Sequence, residues 1–335
     1  MNRPGPSRTS VTVVLVATLS LVLGAASIAA ADGLGPAQRL ACTRALEEVR
    51  WQQREWPAAN PGAKPPLWDV LPRETLAEKA FDPLRMSAAL ETYWQRSLTA
   101  ADLQAEIDRM ARASRRPAAL AALFDALDSD PYRVAECLAR PLLAERLVRT
   151  WYASDERFHG TLRATAEGDL AAVGRPGELA GTSGAYRELE WVPALGEARS
   201  TAASPGVREL EGERWAELVG RLTDLVGSRE VDGVTLPSPA VAPLQEDTER
   251  FWTVAVLEAD GDRVRVGVAE WHKEPFDAWW GRQRGELTPV ASSDPLHPFA
   301  LPSIAGGGST AGAGLPDAPW AGAGEVCEDG TWEPP

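Results

Sequence analysis

Leu98–His159 reads LTAADLQAEIDRMARASRRPAALAALFDALDSDPYRVAECLARPLLAERLVRTWYASDERFH, and its pattern decides the first half of the fold. Thr99 is followed three residues later by Asp102. That is a capping-box-like start, in which each side chain satisfies the other residue's backbone N–H. Leu103, Ile107 and Met110 recur at i, i+4 and i+7, so they share one helix face. Pro117 opens the next helix in the first turn, where its missing N–H costs nothing. Its apolar face is Leu120, Leu123, Phe124 and Leu127. Asp130-Pro131 is a cap followed by proline at the first helical position, and the helix it starts carries Val134 and Leu138. Pro141 is expected to interrupt that helix. Leu142, Leu143, Leu147, Val148, Trp151 and Tyr152 then carry a last helix towards His159. Short helices with proline-marked joints suit antiparallel packing around one core. Glu106, Asp108 and Glu145 fall beside arginines at helical spacing and read as solvated faces.

Upstream, Ala37–Trp56 has apolar residues three and four apart and reads as a helix. PAANPGAKPP, residues 57–66, ends it, because proline cannot continue a helix. A second helical region spans Arg73–Gln95, with a kink or fresh start expected at Pro83. Downstream, glycine is frequent and periodicity fades over residues 168–185, which reads as a linker. Trp215–Val226 is an amphipathic helix, and Val234–Pro243 is proline-rich and extended. Trp252, Val254 and Val256 alternate within a strand over Phe251–Leu257. Ala259–Asp262 is a hairpin signal, and Val264, Val266 and Val268 continue on the return strand up to Trp271. The fold class expected is α+β: a helical domain over residues 32–167, then a small α+β domain over 186–290 and a flexible Gly/Ala/Pro/Ser-rich tail over 291–335.

The first 31 residues have the make-up of an export signal. Arg3 and Arg8 precede the uncharged run Val11–Leu23, and Ala29-Ala30-Ala31 offers small residues for cleavage. An uncleaved anchor is the other reading of that run, but it is short for a span. The chain carries a net charge of −14, and losing those two arginines would leave −16. An exported chain this acidic lacks the cationic surface that nucleic-acid binding needs, so no nucleic-acid partner is expected. In an oxidising compartment Cys42 and Cys137, both in helical patterns of the first domain, are candidates for a disulfide; two separately buried thiols are the alternative. Cys327 is left over.

The phrases LTAADLQAEIDRMAR, LAALFDALDSDP and LARPLLAERLVR resemble the helical domain of SurA-type periplasmic chaperones and related parvulin-type peptidyl-prolyl isomerases. Trp215–Val226, then GVTLPSPAVAPLQE, then FWTVAVLE follow, more faintly, the order of a parvulin domain. The resemblance implies an exported protein that binds extended or unfolded polypeptide, with weak or absent isomerase activity. An active isomerase is the alternative it leaves open. The family's pocket carries a histidine in its last strand, where this chain has Phe251-Trp252-Thr253. His272 lies one hairpin later and His159 well upstream, so no catalytic residue is carried over. The ending DGTW resembles the lead-in to a kelch-type β-repeat, which would make the chain an adaptor at the front of a longer protein.

Six aromatic residues are candidates for a peptide-binding groove: Phe251, Trp252, Trp271, Phe276, Trp279 and Trp280. Tryptophan offers large contact area with a polar handle. A packed edge of the domain is the competing reading, as core packing is for Trp151 and Tyr152. The sequence has no Gly-x-Ser-x-Gly elbow, phosphate loop, His-Glu-x-x-His or Cys-x-x-Cys, so no metal or cofactor is expected.

Overall fold

The structure, a computed structural model, describes residues 33–60, 62–194, 207–293 and 296–304. The expected export signal, the tail from residue 305 onwards, Cys327 and the DGTW motif lie outside the described residues. The fold is α+β, helices first and then a mixed sheet. Two compact units form, and neither is one continuous stretch. The first takes residues 33–87, 96–143 and 289–304, and the second takes 88–95, 144–194 and 207–288. Residues 144–167, expected to close the helical domain, therefore belong with the sheet. No helix among the described residues is long and apolar enough to cross a membrane.

In the first unit, α1 (Pro36–Gln53) opens on proline and stops before Pro57. Lys64 Nζ donates to two carbonyls at its end, those of Trp51 and Arg54. A single turn, α2 (Leu67–Val70), precedes α3 (Arg73–Trp94). Helix α3 continues through Pro83, so no fresh start occurs there. The ring forfeits only the bond to the Lys79 carbonyl, and the Ser87 hydroxyl donates to the Pro83 carbonyl at 2.9 Å. Helix α4 (Ala100–Ala113) begins with the anticipated box: Asp102 N donates to Thr99 Oγ1 at 3.2 Å and Thr99 N to Asp102 Oδ2 at 2.9 Å. Helix α5 (Pro117–Asp125) follows. Asp130 then caps α6 (Pro131–Val134), accepting from Tyr132 N at 2.9 Å.

Pro141 does not interrupt what comes next. Residues Ala135–Ala139 widen into a π turn that leads into α7 (Arg140–Ser154). Proline cannot donate to the carbonyl four residues back, and its ring would collide with it. The wider turn relieves both problems, and the Arg140 N–H reaches the carbonyl of Ala135, five residues back. The core of this unit is Leu46, Leu103, Ile107, Phe124, Leu127, Val134 and Leu138. Glu106, read as solvated, is also buried and accepts from Arg109.

In the second unit Asp155 caps α8 (Glu156–Ala172), and a 3₁₀ turn spans Pro176–Gly181. Strands β1 (Ala185–Pro193) and β2 (Val207–Leu210) precede α9 (Gly212–Val226). Then come β3 (Ser228–Val231), β4 (Val234–Pro237), β5 (Gln245–Glu246), β6 (Arg250–Ala259), β7 (Val264–His272) and α10 (Phe276–Gln283). One sheet has the order β2-β1-β7-β6-β5, with β1 and β2 parallel and the other pairs antiparallel. Strands β3 and β4 pair separately. Their two-residue turn, Asp232-Gly233, has φ of 50° and 81°, the mirror-image geometry that suits strand twist.

Side chains on a strand alternate between faces, and here both faces are covered. Trp252, Val254, Val256, Val264, Val266 and Val268 pack with Leu218 and Leu222 of α9 on one side. Phe251, Ala255, Ala269 and Trp271 pack with Ala166 of α8 and with Leu179 on the other. Gly267 makes room for Tyr186: a Cβ there would stand 2.5 Å from the Tyr186 hydroxyl.

Candidate functional site

A cavity of about 640 Å³ opens in the second unit. Its walls are the last two turns of α7 (Arg149, Thr150, Tyr152, Ala153), the turn before β6 (Thr248, Glu249), and the chain from His272 to Asp277 where β7 gives way to α10. Pro275 positions that last wall as the residue just before α10, so the chain turns sharply off the sheet.

Lys273 anchors the cavity from behind. Its ammonium is buried and donates to three oxygens: the Ala153 carbonyl at 2.6 Å, the Asp247 carbonyl at 2.7 Å and Glu246 Oε1 at 2.8 Å. It also lies 4.7 Å from the centre of the Phe251 ring. All three N–H bonds are thus used, and the side chain ties α7, β5 and the β5–β6 turn together. Most of the cavity's other charges are paired as well, the exposed Glu249 carboxylate being the exception among the described residues. Arg149 donates to Asp277 at 2.9 Å and to Glu145 at 3.1 Å while lying 4.2 Å over the Phe276 ring. Glu274 binds Arg282, which holds its carboxyl below the usual range, and its carbonyl accepts from the Tyr152 hydroxyl at 2.9 Å. His272 is exposed, 3.5 Å from Glu270.

His159 is buried beside Tyr152, ring centres 4.8 Å apart, and its Nε2 has no hydrogen-bond partner among the described residues. Burial and the charge of Lys273 push its pKa down, so the neutral form is favoured. Its position within a cage of rings marks it as packing rather than chemistry.

The six aromatic candidates do not converge on one groove. Phe251 and Trp252 are neighbours on β6 and so face opposite ways, each into a separate core. Trp271 is buried on the α8 side, where its Nε1 donates to Asp169 at 3.1 Å and Ser183 at 3.2 Å. Trp279 stacks on Tyr152 at 4.5 Å, within a cluster that includes Tyr93, Trp94 and Phe158. Trp280 is buried with its ring parallel to that of Phe276. Phe276 alone of the six lines the cavity, and it is half-buried. Trp151 packs against Trp94, as the core reading of it implies.

The first unit holds an ionic knot that the sequence reading missed. Glu136, on the π turn, is fully buried. It accepts from Arg39 at 2.6 Å and from Arg140 at 2.9 and 2.8 Å. It also accepts from the backbone N–H and the hydroxyl of Ser293, at 2.9 and 2.5 Å. These donors hold its carboxyl at about 2 despite burial. The available signal was a glutamate and an arginine four apart inside the apolar run VAECLAR. Next to the knot, Cys42 of α1 and Cys137 of the π turn are buried free thiols, where the sequence offered a disulfide or two buried thiols. Interaction between the two side chains lowers the Cys42 pKa and raises that of Cys137, and burial adds to the rise at Cys137.

Among the described residues no three of His, Cys, Asp and Glu are grouped to hold a metal ion. Comparison with known families, with curated proteins and with solved structures returned no match.

Proposed function

We propose that this chain is an exported, chaperone-like protein that binds extended apolar polypeptide, with the Phe276 cavity as one contact point. The observation that carries the reading is an open cavity with Phe276 in its wall, in which Arg149, Lys273, Glu274 and Asp277 are already engaged in ion pairs. Lys273 has spent its N–H bonds on structure, so it is no nucleophile. Phe276, Pro275 and Tyr152 offer apolar contact, and Thr150, Thr248 and Glu249 beside them offer polar groups that would orient a bound chain.

The test is the aggregation of a chemically unfolded client, followed by light scattering with the full chain present. Suppression at equimolar or modest excess is expected, and Phe276→Ala should weaken affinity for an apolar peptide about tenfold, some 1.4 kcal/mol. Unchanged aggregation at several-fold molar excess would sink the proposal.

A further inference from the structure

We infer that the first unit carries a second docking groove, formed by α4, Tyr132 and Glu136, for a polypeptide segment read through its backbone. The chain's own residues 290–293 and 296–300 are its displaceable occupant. This rests on the polypeptide-binding role proposed above and adds a surface distinct from the Phe276 cavity.

Three positions of the occupant are held by main-chain atoms. Val290 N donates to the Leu84 carbonyl at 3.3 Å. Ser293 N donates to Glu136 at 2.9 Å, and the Ser293 carbonyl accepts from the Tyr132 hydroxyl at 3.0 Å. Gln104 grips both ends of one residue: its Oε1 accepts from Ala300 N at 2.9 Å and its Nε2 donates to the Ala300 carbonyl at 3.0 Å. A side-chain amide engaged in this way imitates a neighbouring β-strand, and any residue except proline presents the same pair of groups. Side chains of the segment also engage the unit: the hydroxyls of Ser292 and Ser293 bond Arg39 and Glu136, and Phe299 is buried against Tyr132 with ring centres 6.2 Å apart.

The rest of the occupant lies on the surface: Leu296 is 78% exposed, and Pro298 and Ala300 are exposed. Pro298 and Pro302 bar it from helix and ladder, and among the described residues it has only a turn at Leu296–His297 and a bond from the Phe299 N–H to the His297 carbonyl, 2.9 Å. The body leaves room for a passing chain at Gly33, where a Cβ would stand 2.4 Å from Ser292 Cβ. The groove thus selects a backbone without helix or strand, with one aromatic anchor. A tethered occupant competes at about millimolar effective concentration, so a free ligand gains access only when the tether's grip is weakened.

The probe is a dye-labelled peptide of residues 289–304, titrated by fluorescence anisotropy against the full chain. Wild type should bind it weakly. Phe299→Ala, which removes the anchor of the resident segment, should bind it at least tenfold more tightly, and adding Gln104→Ala should abolish the gain. Ala300→Pro, made in the chain and not in the probe, removes the resident N–H that Gln104 accepts and should give the same gain, so a folding defect in Phe299→Ala does not decide the matter. A folded Phe299→Ala or Ala300→Pro chain with wild-type affinity would overturn the inference and make the segment a fixed part of the unit. The client assay is independent: its failure alongside a gain in peptide affinity would remove the chaperone role and leave the groove standing.

Discussion

Glu136 shows how a buried charge is made tolerable. Desolvation opposes ionisation, and five donor contacts from Arg39, Arg140 and Ser293 overcome it. Glu136→Gln leaves two arginines facing a neutral group. Breaking a buried ion pair from one side costs about 3–5 kcal/mol, and a urea titration of the variant should show a loss of that order. The sign with pH follows from the direction of the shift. A carboxylate whose pKa falls on folding contributes stability that is present above its ordinary value of 4.5 and is lost as pH falls towards about 2. Wild type should therefore lose on the order of 3 kcal/mol across that window, and the glutamine variant should show a flatter acid limb. The thiols next to the knot give a second prediction. Treatment with a thiol oxidant such as diamide should join Cys42 to Cys137, each thiol losing its hydrogen to the oxidant. Intact-mass measurement should find a loss of two hydrogens that Cys42→Ser abolishes. A wild-type mass unchanged after oxidation under denaturing-then-refolding conditions would reject the pairing.

Among the elements, α8 depends most on one residue. Asp155 caps it by accepting from Arg157 N at 2.9 Å and also accepts from Trp94 Nε1 at 2.8 Å. Asp155→Ala removes a cap and leaves a tryptophan N–H short of its acceptor. Together these amount to about 2 kcal/mol, readable as a lower urea midpoint with an unchanged slope; a loss below about 0.5 kcal/mol would show that water replaces both contacts. The helices were the legible part of the sequence, because caps and prolines are local signals: Thr99, Asp130 and Pro117 act where they stand. The π turn was not legible, since Pro141 admits either a break or a widened turn and only tertiary packing chooses. Strand β1 was hidden too. Its Arg187, Glu188 and Glu190 carry charge on a strand flanked by neighbours on both sides, where apolar residues are the usual signal. The aromatic groove failed for a simpler reason. Phe251 and Trp252 are adjacent in sequence, and adjacency on a strand means opposite faces.

At the scale of the molecule, neither unit is a contiguous piece of chain. Residues 88–95 bring Tyr93 and Trp94 to the aromatic cluster of the second unit, where Trp94 meets Trp151, Phe158 and Trp279. A chain of residues 144–288 alone lacks both rings. It should retain sheet by far-UV circular dichroism but lose near-UV signal and melt at lower temperature than the same unit in the full chain. Equal melting would show that the cluster closes without them. The fold class follows from the order of patterns along the sequence. The discontinuous division does not, because the return of residues 289–304 to the first unit rests on contacts such as Gln104 with Ala300, which leave no periodic trace.

That return sets a clock. Ser293 is separated from Glu136 by 157 positions, and synthesis at about 5–20 residues per second leaves an interval of roughly ten to thirty seconds. Throughout it, the first unit has its helices but not its final donor to Glu136, while the second unit's sheet is being completed. The protein's maturation order is thus written into where one serine sits.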